Sequence, residues 1–260
     1  MKKGNRKYVI IIIVLIIYFI VMFCLFGVGN LKKEKEETTI LVGDDTVWNY
    51  SNQRWSNITK VTNIKKLDWQ KFNVYVDGKE LGNYSVWYDD KWYLFNDKKE
   101  SISFSGNLFA YQANYDINVL SFDSLAISDF SYVKKLLNNK KIDYDNNFTV
   151  SSITSLDIDN DSVNEDFYIV SNAFAMDFTP SKYFSLVFMV KDNKIYMLYD
   201  DVDTFDAYKG CKPYINSVVD IDDDDNYEII LTCAKYSTQT PVNMLYKFSD
   251  GAFKILISNQ

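Results

Sequence analysis

The chain has 260 residues, 47% hydrophobic and 17% aromatic, with 28 basic against 35 acidic side chains, nine Gly and no His. That size allows one substantial core, and a formal charge of −7 disfavours nucleic acid and anionic lipid as partners. The absence of His removes the commonest general base and a usual zinc ligand, and with them most hydrolytic mechanisms.

At the N-terminus, Lys2, Lys3, Arg6 and Lys7 precede an unbroken apolar run from Tyr8 to Val28. At ~1.5 Å rise per residue a helix of that length crosses a ~30 Å hydrocarbon core. Positive charge stays cytoplasmic, so the expected arrangement is a cytoplasmic tail at 1–7, a single transmembrane helix at 8–28 and everything beyond outside the cell membrane. A cleaved signal peptide competes, because Gly27-Val28-Gly29 offers small residues for cleavage. The run is longer than the roughly 7–15 apolar residues of a signal peptide, which favours an uncleaved anchor. Phe23 stands before Cys24 where a lipidated cysteine wants a small residue, so Cys24 reads as a buried membrane thiol. Residues 1–37 hold seven basic and three acidic side chains, leaving the rest of the chain at a net charge of about −11.

Residues 29–70 read as a juxtamembrane linker and an irregular segment. Residues 71–124 read as a β-meander, with strands at Phe72 to Val76, Tyr84 to Tyr88 and Lys91 to Phe95 separated by turns at Asp77-Gly78 and Asp89-Asp90. Ile102 to Phe104 and Leu108 to Gln112 continue it. A helix within 125–141, capped by Ser128 or Asp129 and apolar at Phe130, Val133, Leu136 and Leu137, separates this region from the next. Trp69, Trp87, Tyr88, Trp92 and Tyr93 have the chemistry to stack on sugar rings, but alternation along Tyr84 to Tyr88 is also what a half-buried strand needs for its packed face.

Residues 142–260 repeat one unit twice, at 148–201 and 211–260. In the first, Phe148 to Asp159 leads into an acidic loop and Glu165 to Ala175 leaves it; Tyr183 to Lys191, a turn at Asp192-Asn193 and Ile195 to Tyr199 add a hairpin. The second runs Pro213 to Ile221, loop, Tyr227 to Ala234, Met244 to Phe248, a turn at Asp250-Gly251 and Phe253 to Ile257. The loops share their spacing. Asp157, Asp159, Asp161 and Glu165, and again Asp220, Asp222, Asp224 and Glu228, place carboxylates at positions 1, 3, 5 and 9, with the backbone carbonyls of Val163 and Asn226 at position 7. Oxygens so placed can wrap a hard cation that takes six to eight of them, and four like charges in nine residues otherwise repel. Calcium, up to two ions, is the expected cofactor.

A strand, a D-x-D-x-D-x-x-x-E loop and a strand ending Tyr-Glu-Ile-Ile-Leu resembles the FG-GAP or VCBS-type repeat of integrin α-chain propellers and bacterial surface proteins. The resemblance covers residues 148–260 and implies calcium in each loop and one four-stranded blade per repeat. The usual Gly at position 6 is Ser162 in one loop and Asp225 in the other. The EF-hand fits less well, since its twelfth position, a bidentate Glu, is Tyr168 or Leu231 here.

Cys211 and Cys233 flank the second loop. With Val219 opposite Glu228 in a regular hairpin, Tyr214 faces Cys233 and Cys211 lies a few residues away, so the pair is either a disulfide, which the location permits, or a core thiol at Cys233 and an exposed one at Cys211.

The expected protein is mainly β: an N-terminal transmembrane helix, then antiparallel β-meanders with one intervening α-helix and two four-stranded blade-like repeats, arranged as an open pair of meanders packed against the helix and the first β region, with a four-bladed ring as the alternative. Its expected role is a non-enzymatic interaction or adhesion module at the bacterial cell envelope, held by residues 8–28, whose partner is an extracellular protein or polysaccharide. The alternatives are a glycan- or cell-wall-binding protein using the aromatic meander and, more remotely, a degenerate hydrolase, which requires a cleft with two carboxylates outside the acidic loops.

Overall fold

A computed structural model describes residues 37–143, 148–174, 182–203, 210–235 and 241–259. On these the chain is mainly β, built of three antiparallel sheets and two short helices. The expected tail at 1–7 and membrane span at 8–28 lie outside the described residues, among which no helix is long and apolar enough to cross a membrane.

Sheet 1 holds β1 (Thr38–Val42), β2 (Thr46–Ser51), β3 (Arg54–Asn57), β4 (Lys71–Val76), β5 (Lys79–Asp89), β6 (Lys91–Phe95), β7 (Ser101–Ile102) and β8 (Leu108–Gln112), ordered β3-β2-β1-β8-β4-β5-β6-β7. The expectation of an irregular segment up to residue 70 is therefore corrected: 38–57 supplies three strands of this sheet. For β1 the reason is burial on both faces. β1 is wholly buried, with Ile40 and Val42 in one core and Leu41 in another, so it has none of the polar alternation that marks a half-exposed strand. A one-turn helix α1 (Val61–Ile64) and a 3-10 turn (Lys65–Leu67) then lay Ile64 and Leu67 over the outer face of the sheet.

The connection beyond sheet 1 contributes two short strands, β9 (Asn118–Val119) and β10 (Leu125–Ala126), before helix α2 (Ser131–Asn139). The helix starts later than the 125–141 span suggests, because Leu125 and Ala126 pair with a neighbouring strand instead. Asp129 accepts the Ser131 N–H at 2.9 Å and the Ser131 hydroxyl at 3.1 Å, and Val133, Leu136 and Leu137 form the buried stripe.

Each repeat is a meander in chain order. Sheet 2 holds β11 (Val150–Leu156), β12 (Glu165–Ser171), β13 (Tyr183–Lys191) and β14 (Lys194–Asp203), with β10 added on the β11 edge. Sheet 3 holds β15 (Cys211–Asp220), β16 (Glu228–Lys235), β17 (Pro241–Ser249) and β18 (Ala252–Ser258), with β9 added on the β15 edge. The hairpin turns at Asp192-Asn193 (φ +50° and +59°) and Asp250-Gly251 (φ +54° and +72°) put both central residues in the left-handed region, as two-residue turns matching strand twist require.

The sheets stack face to face. Leu41, Phe72, Val74 and Trp92 pack beneath α1 on the outer face of sheet 1; Ile40, Trp48 and Phe109 meet Val219, Ile230 and Leu245 between sheets 1 and 3. Phe167, Ile169, Val187 and Met189 meet Ile215, Val218, Ile229 and Leu231 between sheets 3 and 2, and α2 closes the far side against Tyr168, Val170, Leu186 and Phe188. With α1 capping one end and α2 the other, the stack is open, and β12, β13 and β16 are apolar at nearly every position because both their faces are covered.

Cys211 and Cys233 are joined, with Cα atoms 5.4 Å apart. A bulge at Asn216 shifts the register so that Pro213, not Tyr214, lies opposite Cys233. That one-residue slip puts the two cysteines on the same face of the hairpin, since side chains alternate with a period of two.

Candidate functional site

The two acidic loops are the β11–β12 and β15–β16 connections, and they have one backbone conformation. Position 4 (Asn160, φ +56°; Asp223, φ +54°) and position 6 (Ser162, φ +69°; Asp225, φ +64°) are left-handed in both. In the first loop Asp157 accepts the N–H groups of Asp161 at 3.1 Å and Ser162 at 2.8 Å; in the second Asp220 accepts those of Asp224 at 3.1 Å and Asp225 at 3.2 Å. Each position-9 glutamate turns inward: Glu165 accepts the Ile158 N–H at 3.1 Å and Glu228 the Ile221 N–H at 2.9 Å. These bonds repeat atom for atom because the strands on either side hold the loop ends at the same separation.

The turn gathers two acidic triads, Asp157–Asp159–Glu165 and Asp220–Asp222–Glu228, each with carboxylate oxygens within 4.8 Å of one another, and each could hold a metal ion. Asp161 and Asp224 stand at the rim. Position 7 is differently engaged: the Val163 N–H donates to Asp161 at 2.8 Å and the Asn226 N–H to Asp224 at 3.0 Å, and the Val163 side chain is exposed.

Each loop also contains a cation that local spacing does not reveal. The Lys191 ammonium, from the end of β13, lies 2.6 Å from Asp159, 3.0 Å from Asp161 and 2.6 Å from Glu165. Lys247, from β17, lies 2.8 Å from Asp222, 2.9 Å from Asp224 and 2.8 Å from Glu228. An ammonium has three donors: Lys191 gives one each to Asp159, Asp161 and Glu165, whereas Lys247 gives two to Asp222 and one to Asp224, so the buried Glu228 Oε1 has Lys247 as a counter-charge but accepts no hydrogen bond. Lys247 sits directly across the ladder from Glu228, and Lys191 one step beyond the Asp166–Val190 pair, hence across from Glu165. The signal in the sequence is a lysine near the end of a largely apolar strand, last in β13 and third from last in β17, and it becomes readable only once the strands are set in register.

Burial and charge compete in these clusters. Burial raises Glu228, with Asp222 adding to it and Lys247 opposing, to about 7. Burial likewise raises Glu165 and Asp220. At Asp224 burial raises, but the hydrogen bonds from Lys247 and the Asn226 N–H and the charge of Lys247 together outweigh it, and Asp161 is lowered by its hydrogen bond to Lys191. Both lysines are lowered by burial but raised further by their carboxylates, so they remain charged. One ammonium against four carboxylates leaves each cluster strongly negative. That imbalance, with hard oxygen donors only, fits a divalent ion such as Ca²⁺ or Mg²⁺ and does not by itself distinguish them.

The cradles are not independent of each other or of sheet 1. The Tyr227 N–H in the second loop donates to the Ile158 carbonyl in the first at 2.8 Å. The Tyr115 hydroxyl, which also meets Thr38 at 3.0 Å, donates to the Ile221 carbonyl at 2.8 Å.

The aromatic residues of the meander divide between two faces. Trp92 is 2% exposed, paired with Tyr88 at 4.9 Å on the covered face of sheet 1. Trp69, Trp87 and Tyr93 are on the opposite face, so Trp69, Trp87 and Trp92 do not form one platform. On the β4–β8 side of the sheet a cleft of about 580 Å³ is lined by Asn73, Tyr75, Glu80, Tyr111, Asp116 and Asn118, among others. Glu80 and Asp116 are carboxylates outside the cradles.

Comparison with protein-family models, with curated proteins and with solved structures finds no match.

Proposed function

We propose that the chain is a membrane-anchored, extracytoplasmic, non-enzymatic β-repeat scaffold, an interaction module of the bacterial cell envelope whose two acidic loops take calcium. The observation that carries the cation part is the duplication: the same carboxylates, backbone bonds and left-handed positions recur in both repeats. Independent acidic turns have no reason to agree at that level. The FG-GAP-like spacing supports calcium as the ion, and the apolar run at 8–28 supports the anchor and the outward orientation.

Within this reading Lys191 and Lys247 are placeholders. They neutralise part of each cluster in the metal-free state and, with side chains 20% and 17% exposed, sit near enough to the rim to swing outward. The triads Asp157–Asp159–Glu165 and Asp220–Asp222–Glu228 would hold the ions, whose role is to join strand ends by neutralising them. Three-way engagement of each ammonium favours one second reading, in which the lysines are permanent internal cations and the scaffold needs no metal.

Calorimetric titration of the full chain with calcium, beside melting curves in chelator, separates the two. Saturable binding near two sites in the native chain, stronger in Lys191→Met/Lys247→Met and lost in Asp157→Ala/Asp220→Ala, is the expected result. Binding only after the lysines are removed makes them the resident cations. Absence of binding in every variant rejects the loops as metal sites.

A further inference from the structure

Sheet 1 is wider than the layer that covers it. Sheet 3 packs over β2, β1 and β8, where Trp48, Ile40 and Phe109 are fully buried. The same face continues across β4, β5 and β6; the connection at 116–121 lies against part of β4, and among the described residues no sheet covers β5 and β6. Beyond the Lys71–Ser85 pair the β4–β5 ladder ends in a bulge: the Trp69 N–H donates to the Val86 carbonyl at 2.7 Å and the Val86 N–H to the Gln70 carbonyl at 3.0 Å, so Trp69 and Gln70 both oppose Val86. The face carries two aromatic pairs, Trp69 with Phe95, rings 5.0 Å apart, and Trp87 with Tyr93, rings 5.7 Å apart, brought together because Tyr93 and Phe95 are alternate residues of β6.

Trp69 is strained as well as exposed. It has φ +67°, a region where a bulky side chain is an outlier, yet it is 50% exposed, so burial does not compensate for the conformation. Polar groups adjoin the rings. Asn83 donates to Asn73 at 3.0 Å on the same face, and Asn73 is also a wall of the cleft that holds Tyr75, Glu80, Asp116 and Asn118. The aromatic pairs and the cleft thus share one face of the sheet.

Its charges are already satisfied. Lys71 pairs with Asp97 at 2.6 Å and Lys79 with Asp123 at 3.6 Å, while Lys91 and Lys99 lie over the Tyr93 and Trp69 rings, each 5.5 Å from the centroid. A polyanion finds no unengaged cationic stripe there and meets the negative charge of the chain as a whole. We infer that this surface binds an uncharged glycan chain: the rings stack on the apolar faces of successive sugars, and the amides and carboxylates of the cleft take their hydroxyls. The tilts of 47° and 50° between neighbouring rings make a stepped surface, suited to a flexible oligosaccharide whose units twist along the chain rather than to a flat crystalline lattice. This names the partner of the interaction module proposed above and is independent of the metal in the cradles.

The test is titration of the full chain with soluble β-linked glucose and β-linked N-acetylglucosamine hexamers, read by tryptophan fluorescence and calorimetry, in calcium and again in chelator. Trp69→Gly and Trp87→Ala are the variants. Saturable binding to at least one hexamer, weakened at least tenfold in both variants while melting is unchanged or, for Trp69→Gly, raised, is the expected result. No binding to either hexamer, binding indifferent to both substitutions, or binding of an apolar peptide in their place overturns the inference. Calcium-dependent melting in the same samples reads the cation proposal separately, so either idea can fail alone.

Discussion

At the scale of single residues, the loops carry strain where a glycine would carry none. Ser162 and Asp225 occupy left-handed backbone with side chains that disfavour it, and Asp225 adds a further negative charge to a cluster that already has an excess. Asp225→Gly is expected to raise stability by about 1 kcal/mol, seen as a higher denaturant midpoint with unchanged slope. Lys247 is the opposite case. Lys247→Met leaves Glu228, 2% exposed at its side chain, without its counter-charge. In chelator this is expected to cost about 3 kcal/mol, and added calcium should restore much of it; equal melting of the two proteins in chelator would show that the ion pair contributes nothing. The acidic loops were legible in the sequence because their spacing lies within nine residues of chain. Their lysines were not, because Lys191 and Lys247 are remote in sequence and stand differently with respect to the following hairpin turn, so counting residues does not align them.

At the scale of elements, two contacts can be tested for what they hold together. Asn243 is fully buried between sheets 3 and 1: it accepts from Thr232 at 2.6 Å and donates to Thr46 at 2.8 Å. Asn243→Ala removes both bonds and opens a small void, while Thr46 keeps its bonds to Asp45 and Asn259, so the expected loss is about 2 kcal/mol in urea unfolding. Tyr246, 3% exposed in the core between sheets 3 and 2, is raised by burial to about 12. The unfolded chain loses that proton near pH 10, so between about pH 10 and 12 the folded state holds a proton the unfolded state has released. Stability therefore falls as pH rises across that window, by up to about 2–3 kcal/mol. Tyr246→Phe should lessen the fall, and parallel losses in both proteins would place the alkaline sensitivity elsewhere. Most strands of the repeats were readable, down to Tyr183–Lys191, because alternation and two-residue turns are local signals. Strands β1 to β3 were not: β1 is covered on both faces and shows no period, and β3, four residues and largely exposed, is a strand only because it pairs with β2.

For the whole molecule, stacking makes the sheets depend on one another. Sheet 3 contributes to the cores on both its sides, so unfolding any one layer exposes apolar surface on the next. All five tryptophans lie between Trp48 and Trp92, in and beside sheet 1, whereas the cradles join strands of sheets 2 and 3. Thermal unfolding followed by tryptophan fluorescence is expected to coincide with that followed by far-ultraviolet dichroism, and a separate fluorescence transition would mean that sheet 1 unfolds independently. What the amino-acid sequence determined by itself is what short stretches encode: the β character, the hairpin turns, the duplicated carboxylate spacing and the apolar run at 8–28. The tertiary structure alone decided which lysine faces which cradle, that a bulge at Asn216 brings Cys211 and Cys233 to one face, and that Trp92 is covered while Trp69 is exposed and Trp87 half-buried on the other face. The division has a physical cause. Periodicity and ligand spacing act over a few residues, whereas register, bulges and the width of one sheet relative to the next are set by contacts between segments far apart in the chain.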